Sequence, residues 1–354
     1  MRHSALATVL SVPVVALLTG CASAPTAGSV REEKLDGYLE WRLGELLVVD
    51  GQRLTVSPTT RLLGEAENPA RIPLGYEVKA RGVRLPGGVI QAREIEAKPN
   101  GKALFEGEVL AATNEAEAKY KKAGRFFEET QGGGIENIGR LYQTGPQVER
   151  VRRITDNLIP PYLSPRDVRV YVIENKEWNA FAMGNRSIYV FSGLLRDLDD
   201  DEVAIVIGHE LVHATHEHTR RQFKKDMWVQ LLAAGVAVGA EQIDNETART
   251  VTQLAAVFGA VAYRNGYGRD LEDQADRVGL RYAYQAGYDI TKGPPLWNRF
   301  AKKYGEPGKA VNFFFGDHSL ARERARNLER EIALNYQDVV RENQRLGAPA
   351  RTRP

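Results

Sequence analysis

Between Val203 and His218 the chain reads V-A-I-V-I-G-H-E-L-V-H-A-T-H-E-H. His209 and His213 are four residues apart, so on a helix both imidazoles leave one face about one turn apart. Glu210 lies between them. Two neutral imidazoles at this spacing bind zinc, and the carboxylate can take a proton from water that the metal activates. The acidic cluster Asp199–Glu202 ahead of the apolar run suits a helix N-terminus. An ordinary helix with two surface histidines would carry the same motif, so the remaining chain must supply the rest of a site.

A zinc hydrolase needs a third protein ligand and an open position for water. A third histidine at the metzincin position would fall at residue 219, which is Thr219, and that class is excluded. The stretch Arg269–Gln285 offers a carboxylate instead. Glu272 and Asp276 are four apart on one helix face. One can ligate zinc while the other orients a ligand imidazole through its free N–H. Of the six histidines, His3 lies in the expected leader, and the other five are His209, His213, His216, His218 and His318. His216 and His218 read as solvated residues at a helix C-terminus.

The elements that must position these groups follow from the rest of the chain. With 354 residues, length allows two or three domains, and 48 Lys+Arg against 46 Asp+Glu gives no argument for a nucleic-acid partner. Arg2 and His3 followed by the apolar Ala5–Leu18 form a leader too short for a normal membrane span. Leu18-Thr19-Gly20-Cys21 then resembles a bacterial lipobox, which implies cleavage before Cys21 and a lipid on its sulfur. Cys21 is the only cysteine, so it has no intramolecular disulfide partner. An ordinary secretion signal cleaved near Ala22–Ala24 is the alternative. Ala22 after the cysteine points to the outer rather than the inner membrane. The domains expected are a leader over residues 1–20, a tether over 21–36, a small β-domain over 37–112, a helix and linker over 113–134, a peptidase domain over 135–340 and a tail over 341–354.

Strands are predicted at Tyr38–Val49, Arg53–Val56, Tyr76–Arg84, Val89–Ala97 and Ala103–Ala111, separated by turn signals such as Asp50-Gly51 and Pro86–Gly88. Five or so short strands suggest a small barrel or sandwich. The segment loosely resembles a β-barrel domain of exported bacterial proteins, and its partner is unconstrained. Asn114–Thr130 reads as a charged helix, and Gln131–Gly134 as a linker. Gln147–Leu158 is amphipathic, with Val148, Val151, Ile154 and Leu158 at helical spacing. Strands at Val168–Ile173 and Ser187–Phe191 flank the turn Asn179–Asn185. A strand ahead of a metal helix can hold a substrate backbone along a sheet edge, which makes Asn179, Ala180, Ser187, Ile188, Tyr189 and Val190 candidate substrate-binding residues. An ordinary core strand reads the same way. Trp228–Ala240 and Val251–Val261 are each shorter than the ~20 residues of a membrane span and suit a buried hairpin better than a membrane-dipping one.

Taken in order, G-H-E-L-V-H, Arg269 with Glu272 and Ala275-Asp276, and A-G-Y-D after them resemble the HtpX/Oma/CAAX-prenyl-endopeptidase family of zinc metallopeptidases, a gluzincin group. N-A-F-A…S-I-Y-V-F-S-G-L-L over Asn179–Leu195 and H-S-L-A-R-E-R over His318–Arg324 match it too. Gly268 and Ser319 depart from the usual Ser and Pro. The resemblance covers residues 134–334. It implies an α+β fold, a mostly helical zincin-type domain with a small edge-strand sheet after the small all-β domain. It makes His209, His213 and Glu272 the ligands of one zinc and Glu210 the general base. Asp276 partners a ligand histidine, His318 stabilises the oxyanion, Arg324 positions that region by an ion pair, and Arg269 supports the helix. The expected function is a lipid-anchored, periplasm-facing zinc endopeptidase acting on unfolded or misassembled envelope proteins. An assembly or chaperone-like factor with a latent peptidase site is the alternative.

Overall fold

Alternating apolar and charged residues build the N-terminal part of the chain. The computed structural model describes residues 32–64, 68–98, 106–129, 134–233, 267–304 and 321–339. Strands β1 (Glu32–Leu43), β2 (Leu46–Val49), β3 (Gln52–Thr55), β4 (Arg61–Gly64), β5 (Glu77–Arg84) and β6 (Ile90–Lys98) form one sheet in the order β3-β2-β1-β5-β6-β4. β6 also pairs with β3, which closes the sheet into a small barrel. In β5, Val78 and Ala80 point inward while Lys79 and Arg81 are exposed. Leu39, Leu47, Leu54 and Ile95 fill the interior. Asp50 and Gly51 both have positive φ (44° and 73°), as a two-residue type I′ hairpin between β2 and β3 requires.

Three expectations are corrected here. The predicted strand Tyr38–Val49 is a hairpin, β1 and β2, and β1 begins at Glu32 inside the expected tether. From Glu106 on, where the described residues resume, the predicted strand Ala103–Ala111 gives way to a helix, α1 (Glu106–Tyr120), because its Ala- and Glu-rich continuation favours helix and the short run V-L-A-A fits either period. The charged helix expected over Asn114–Thr130 therefore starts earlier and stops at Tyr120. A hairpin follows, β7 (Lys121–Lys122) and β8 (Arg125–Glu129), then β9 (Ile135–Tyr142). Its turn places Ala123 at φ 50°, a position that alanine does not advertise in sequence.

β7, β8 and β9 join β10 (Arg169–Ile173), β11 (Ala180–Ala182) and β12 (Ser187–Phe191) in a second sheet, ordered β11-β12-β10-β9-β8-β7. β10 and β12 are parallel, while β11 runs antiparallel to β12 and forms the edge. Seven further helices follow α1 among the described residues: α2 (Pro146–Leu158), α3 (Ser192–Asp197), α4 (Asp200–Thr215), α5 (His218–Ala233), α6 (Arg269–Gln285), α7 (Gly293–Tyr304) and α8 (Ala321–Asn335). In α2, Pro146 occupies the first turn and Val148, Val151, Ile154 and Leu158 are buried as their spacing predicts. Among the described residues no helix is long and apolar enough to cross a membrane. The apolar stretch Trp228–Ala240 falls on the described residues only as far as Ala233, and Val251–Val261 lies outside them.

α4 is the axis of the C-terminal part. Asp199 and Glu202 form a reciprocal capping box at its start, and every residue from Glu202 to Thr215 is buried. It packs against α2, α6, α7 and the β11–β12 end of the second sheet. The approach to α6 is backbone to backbone. A Cβ on Gly279 would lie 2.6 Å from the His209 amide nitrogen, and one on Gly208 would lie 2.6 Å from the Gly279 carbonyl oxygen. The barrel is fastened to α5 and α6: Arg221 reaches Asp50 at 2.7 Å and Arg277 reaches Glu40 at 3.0 Å. Gly279→Ala is expected to destabilise the protein by about 1–3 kcal/mol in urea unfolding and to weaken zinc binding, because the added methyl meets backbone with no room to yield. Unchanged stability and zinc affinity would show that the two helices have slack at this crossing.

Candidate metal centre

α4 carries His209, Glu210 and His213, and α6 carries Glu272 and Asp276. The close glycine crossing lets these two faces meet. His209 Nε2 lies 3.1 Å from His213 Nε2, and the Glu272 carboxylate lies 3.3 Å from the first and 3.6 Å from the second. All three side chains are buried, and one ligand atom from each falls within 4.8 Å of the others. Two imidazoles and a carboxylate are a donor set suited to zinc.

The hydrogen bonds around the two histidines give this set its polarity. His209 Nδ1 lies 2.9 Å from Asp276 Oδ1, which can only accept, and 2.8 Å from Arg324 Nη2, which can only donate; Arg324 already donates to Asp276, and donation from Nδ1 to the carboxylate is the arrangement that frees Nε2 for a metal. That leaves the Nε2 lone pair of His209 facing Glu272 and His213. Arg324 is buried and forks onto Asp276 at 2.9 and 2.5 Å, with its guanidinium 3.5 Å above the Trp297 ring. Burial alone would raise Asp276, but Arg324 and His209 outweigh it and hold the carboxyl down at about 2. Burial and Arg324 oppose protonation of His209, yet Asp276 and Glu272 prevail and raise it to about 9. Without metal, the site thus draws a proton to the place where the ligand atoms converge. A divalent cation fits there.

Glu210 points from α4 toward β11, and its Oε2 accepts the Ala182 amide N–H at 3.1 Å. Burial pushes its carboxyl up to about 8, with His209 lowering and Glu272 raising it. β11 uses Asn179, Phe181 and Met183 to pair with β12: Phe191 N–H donates to Asn179 O at 2.9 Å and Met183 N–H to Ser187 O at 2.8 Å. The main-chain groups of Ala180 and Ala182 consequently face away from β12, toward the side of Glu210, where no further strand pairs among the described residues; both residues are buried. This corrects the expected substrate strand. Ser187, Ile188, Tyr189 and Val190 lie on β12, which is paired on both sides, so their main chain has no edge to offer. Ala180 keeps its place at the edge, and Asn179 is buried with its carbonyl turned to β12.

His216 and His218 are also corrected, since both are fully buried rather than solvated. α4 ends at Thr215, and Glu217 at φ 52° turns the chain before α5 begins. This left-handed residue, a conformation that costs of order 1–3 kcal/mol, is held by Arg220 at 2.9 Å and by the Tyr38 hydroxyl. The turn swings His218 back until its Nδ1 is 2.8 Å from His213 Nδ1. On an uninterrupted helix it would point elsewhere, so spacing could not reveal it. His216 packs against Tyr38, and burial lowers it to about 3. Tyr267 stacks on His213 with ring centroids 4.1 Å apart, another neighbour not anticipated from sequence. Arg269 is exposed at the first position of α6, where its charge acts on Asp273. His318 and Cys21 lie outside the described residues.

Comparison with known proteins agrees with this geometry. Residues 146–332 match the model of Peptidase family M48. The chain is similar to the mitochondrial metalloendopeptidase OMA1 of Arabidopsis thaliana, 28% identical over 176 residues, which cover 48% of this chain and 34% of that protein. It is similar to the metalloprotease LoiP of Escherichia coli, 29% identical over 189 residues, or 53% of this chain and 72% of the relative. A putative beta-barrel assembly-enhancing protease of Vibrio cholerae is 28% identical over 171 residues, 47% of this chain and 34% of that protein. The chain thus spans only about a third of the first and last of these relatives. The matched region contains His209, Glu210, His213, Glu272, Asp276 and Arg324 together, and the chain belongs to Peptidase family M48.

Proposed function

We propose that the protein is a zinc-dependent metalloendopeptidase of the bacterial cell envelope, acting on unfolded or misassembled proteins and held at the membrane by a lipid on Cys21. The observation that carries the catalytic part is the meeting of Glu210, the two imidazoles and Glu272 beside β11, the edge strand of the described sheet. A bound zinc supplies Lewis-acid polarisation of the scissile carbonyl and activation of water. The main chain of Ala180 and the carbonyl of Ala182, whose N–H is taken by Glu210, hold an extended substrate by hydrogen bonds, which recognise backbone and tolerate varied side chains. Glu210 takes the proton of the attacking water and delivers it to the leaving amine, and its elevated pKa suits a group that must do both near neutral pH. Asp276 and Arg324 keep His209 in its ligating orientation. His318 serves as the oxyanion donor, a role worth about 10²–10³ in kcat.

The envelope setting rests on the leader and the Leu18–Cys21 lipobox, together with relatives whose names include a beta-barrel assembly-enhancing protease. The family match speaks for the hydrolysis and the leader for the place, so each part has its own test.

Glu210→Gln is expected to lower cleavage of an unfolded substrate such as casein by about 10²–10⁴-fold while one zinc per chain is retained. Proteolysis preserved in that zinc-loaded variant would remove Glu210 from the mechanism. Asp276→Ala leaves the Arg324 guanidinium buried without its carboxylate, and a loss of about 3–5 kcal/mol in urea unfolding is expected. Cys21→Ser should release the protein from the membrane fraction. A variant that still sediments with membranes would mean that the anchor lies elsewhere.

A further inference from the structure

The two ligand histidines are oriented by different means. His209 bonds directly to a carboxylate of its own helix pair, Asp276. His213 instead bonds to His218, and a chain of polar contacts continues from His218 to the barrel. His218 Nε2 lies 2.9 Å from Gln274 Oε1. Gln274 Nε2 lies 2.6 Å from Glu40 Oε1 and 2.7 Å from Asp50 Oδ1. Glu40 sits on β1 and Asp50 in the β2–β3 turn, so both belong to the barrel.

We propose that the barrel is a working part of the metal centre: Glu40 and Asp50, through Gln274 and His218, orient His213 and fix the tautomer that leaves its Nε2 lone pair for the metal. The inference rests on reading His213 as a ligand. The direction of every bond follows from donor and acceptor chemistry. Carboxylates accept, so the Gln274 amide turns its NH₂ toward Glu40 and Asp50 and its oxygen away from them. Arg221 Nη1, which can only donate, meets that same oxygen at 2.6 Å and agrees with the assignment. An oxygen facing His218 requires Nε2–H on that ring, and its Nδ1 is then an acceptor. His213 must donate from Nδ1 across the 2.8 Å contact, and its Nε2 is left as a lone pair.

The barrel end of the chain is held firmly. Asp50 Oδ1 also accepts the Tyr38 amide at 3.0 Å, Asp50 Oδ2 accepts from Arg221 at 2.7 Å, and Arg277 braces Glu40 at 3.0 and 3.1 Å. Gln274, His218 and Glu40 are all buried, which keeps water from replacing any link. Glu40, Asp50, Gln274 and His218 are positioning residues, since none reaches the ligand atoms themselves.

The test uses the full chain, zinc-free and zinc-loaded, with two readouts. The first is ¹⁵N NMR of the imidazoles in the zinc-free protein, which distinguishes the tautomers. The second is zinc affinity by competition with a chelator. In the wild type, the proton is expected on Nδ1 of His213 and on Nε2 of His218. Gln274→Leu, and separately Glu40→Gln combined with Asp50→Asn, should mix the His213 tautomers and weaken zinc binding about 10–100-fold. His218→Asn, whose amide oxygen can stand in for Nδ1 as acceptor, should retain more affinity than His218→Leu. If Gln274→Leu does not fold, the barrel pair carries the same comparison. The proposal is overturned if wild-type His213 carries its proton on Nε2, or if the barrel pair leaves both the tautomer and the zinc affinity unchanged. If His213→Ala binds zinc as tightly as the wild type, the ligand assignment fails instead, and the zinc-free tautomer pattern still judges the hydrogen-bond chain on its own.

Discussion

Two imidazole nitrogens and a carboxylate converge in a buried interior, and the rest of the structure depends on making that convergence tolerable. His209 Nε2 and His213 Nε2 face each other across 3.1 Å with their other nitrogens already engaged. Two lone pairs so placed repel unless a cation lies between them and Glu272. Bringing the groups this close also demands that two helices touch at their backbones, which Gly208 and Gly279 permit. A side chain at either position would separate the histidines from the carboxylate.

Charge is organised outward from that point. Asp276 carries a negative charge beside His209, and the buried Arg324 beneath Trp297 compensates it. Buried ions are costly unless paired and hydrogen-bonded, and here each has its partner in hydrogen-bond range. Glu210 feels the charges of His209, Glu272 and Arg324 and also accepts the Ala182 amide of the edge strand, so the proton-carrying group and the strand offered to substrate are aligned by a hydrogen bond. The barrel enters through Asp50 and Glu40, which reach α5 and α6 rather than remaining a separate spacer.

Much of the centre was legible in sequence because its residues lie on two regular helices. The acidic helix start at Asp199–Glu202, the four-residue spacing of His209 and His213, and that of Glu272 and Asp276 are local patterns, and each appears where the sequence puts it. Arg324 entered only through family resemblance, because nothing local ties it to Asp276 across the intervening chain. His218 escaped because one left-handed residue, Glu217, reverses the direction that helical spacing implies. The first turns of α1 read as the end of a strand because a short apolar run has no period of its own, whereas its continuation from Asn114 reads as helix. β9 is largely exposed and polar, so it lacks the alternation by which strands are recognised. Which of β11 and β12 is the edge is a matter of sheet order, and sheet order is set by long-range pairing rather than by either segment.

The central claim is that one zinc is held by His209, His213 and Glu272. Zinc-edge X-ray absorption on the zinc-loaded full chain tests it most directly. The account predicts one zinc per chain, with scattering from two imidazole rings and a shell of nitrogen and oxygen at about 2.0–2.2 Å. A first shell containing fewer than two imidazoles, or a chain that takes up no stoichiometric zinc, would contradict it.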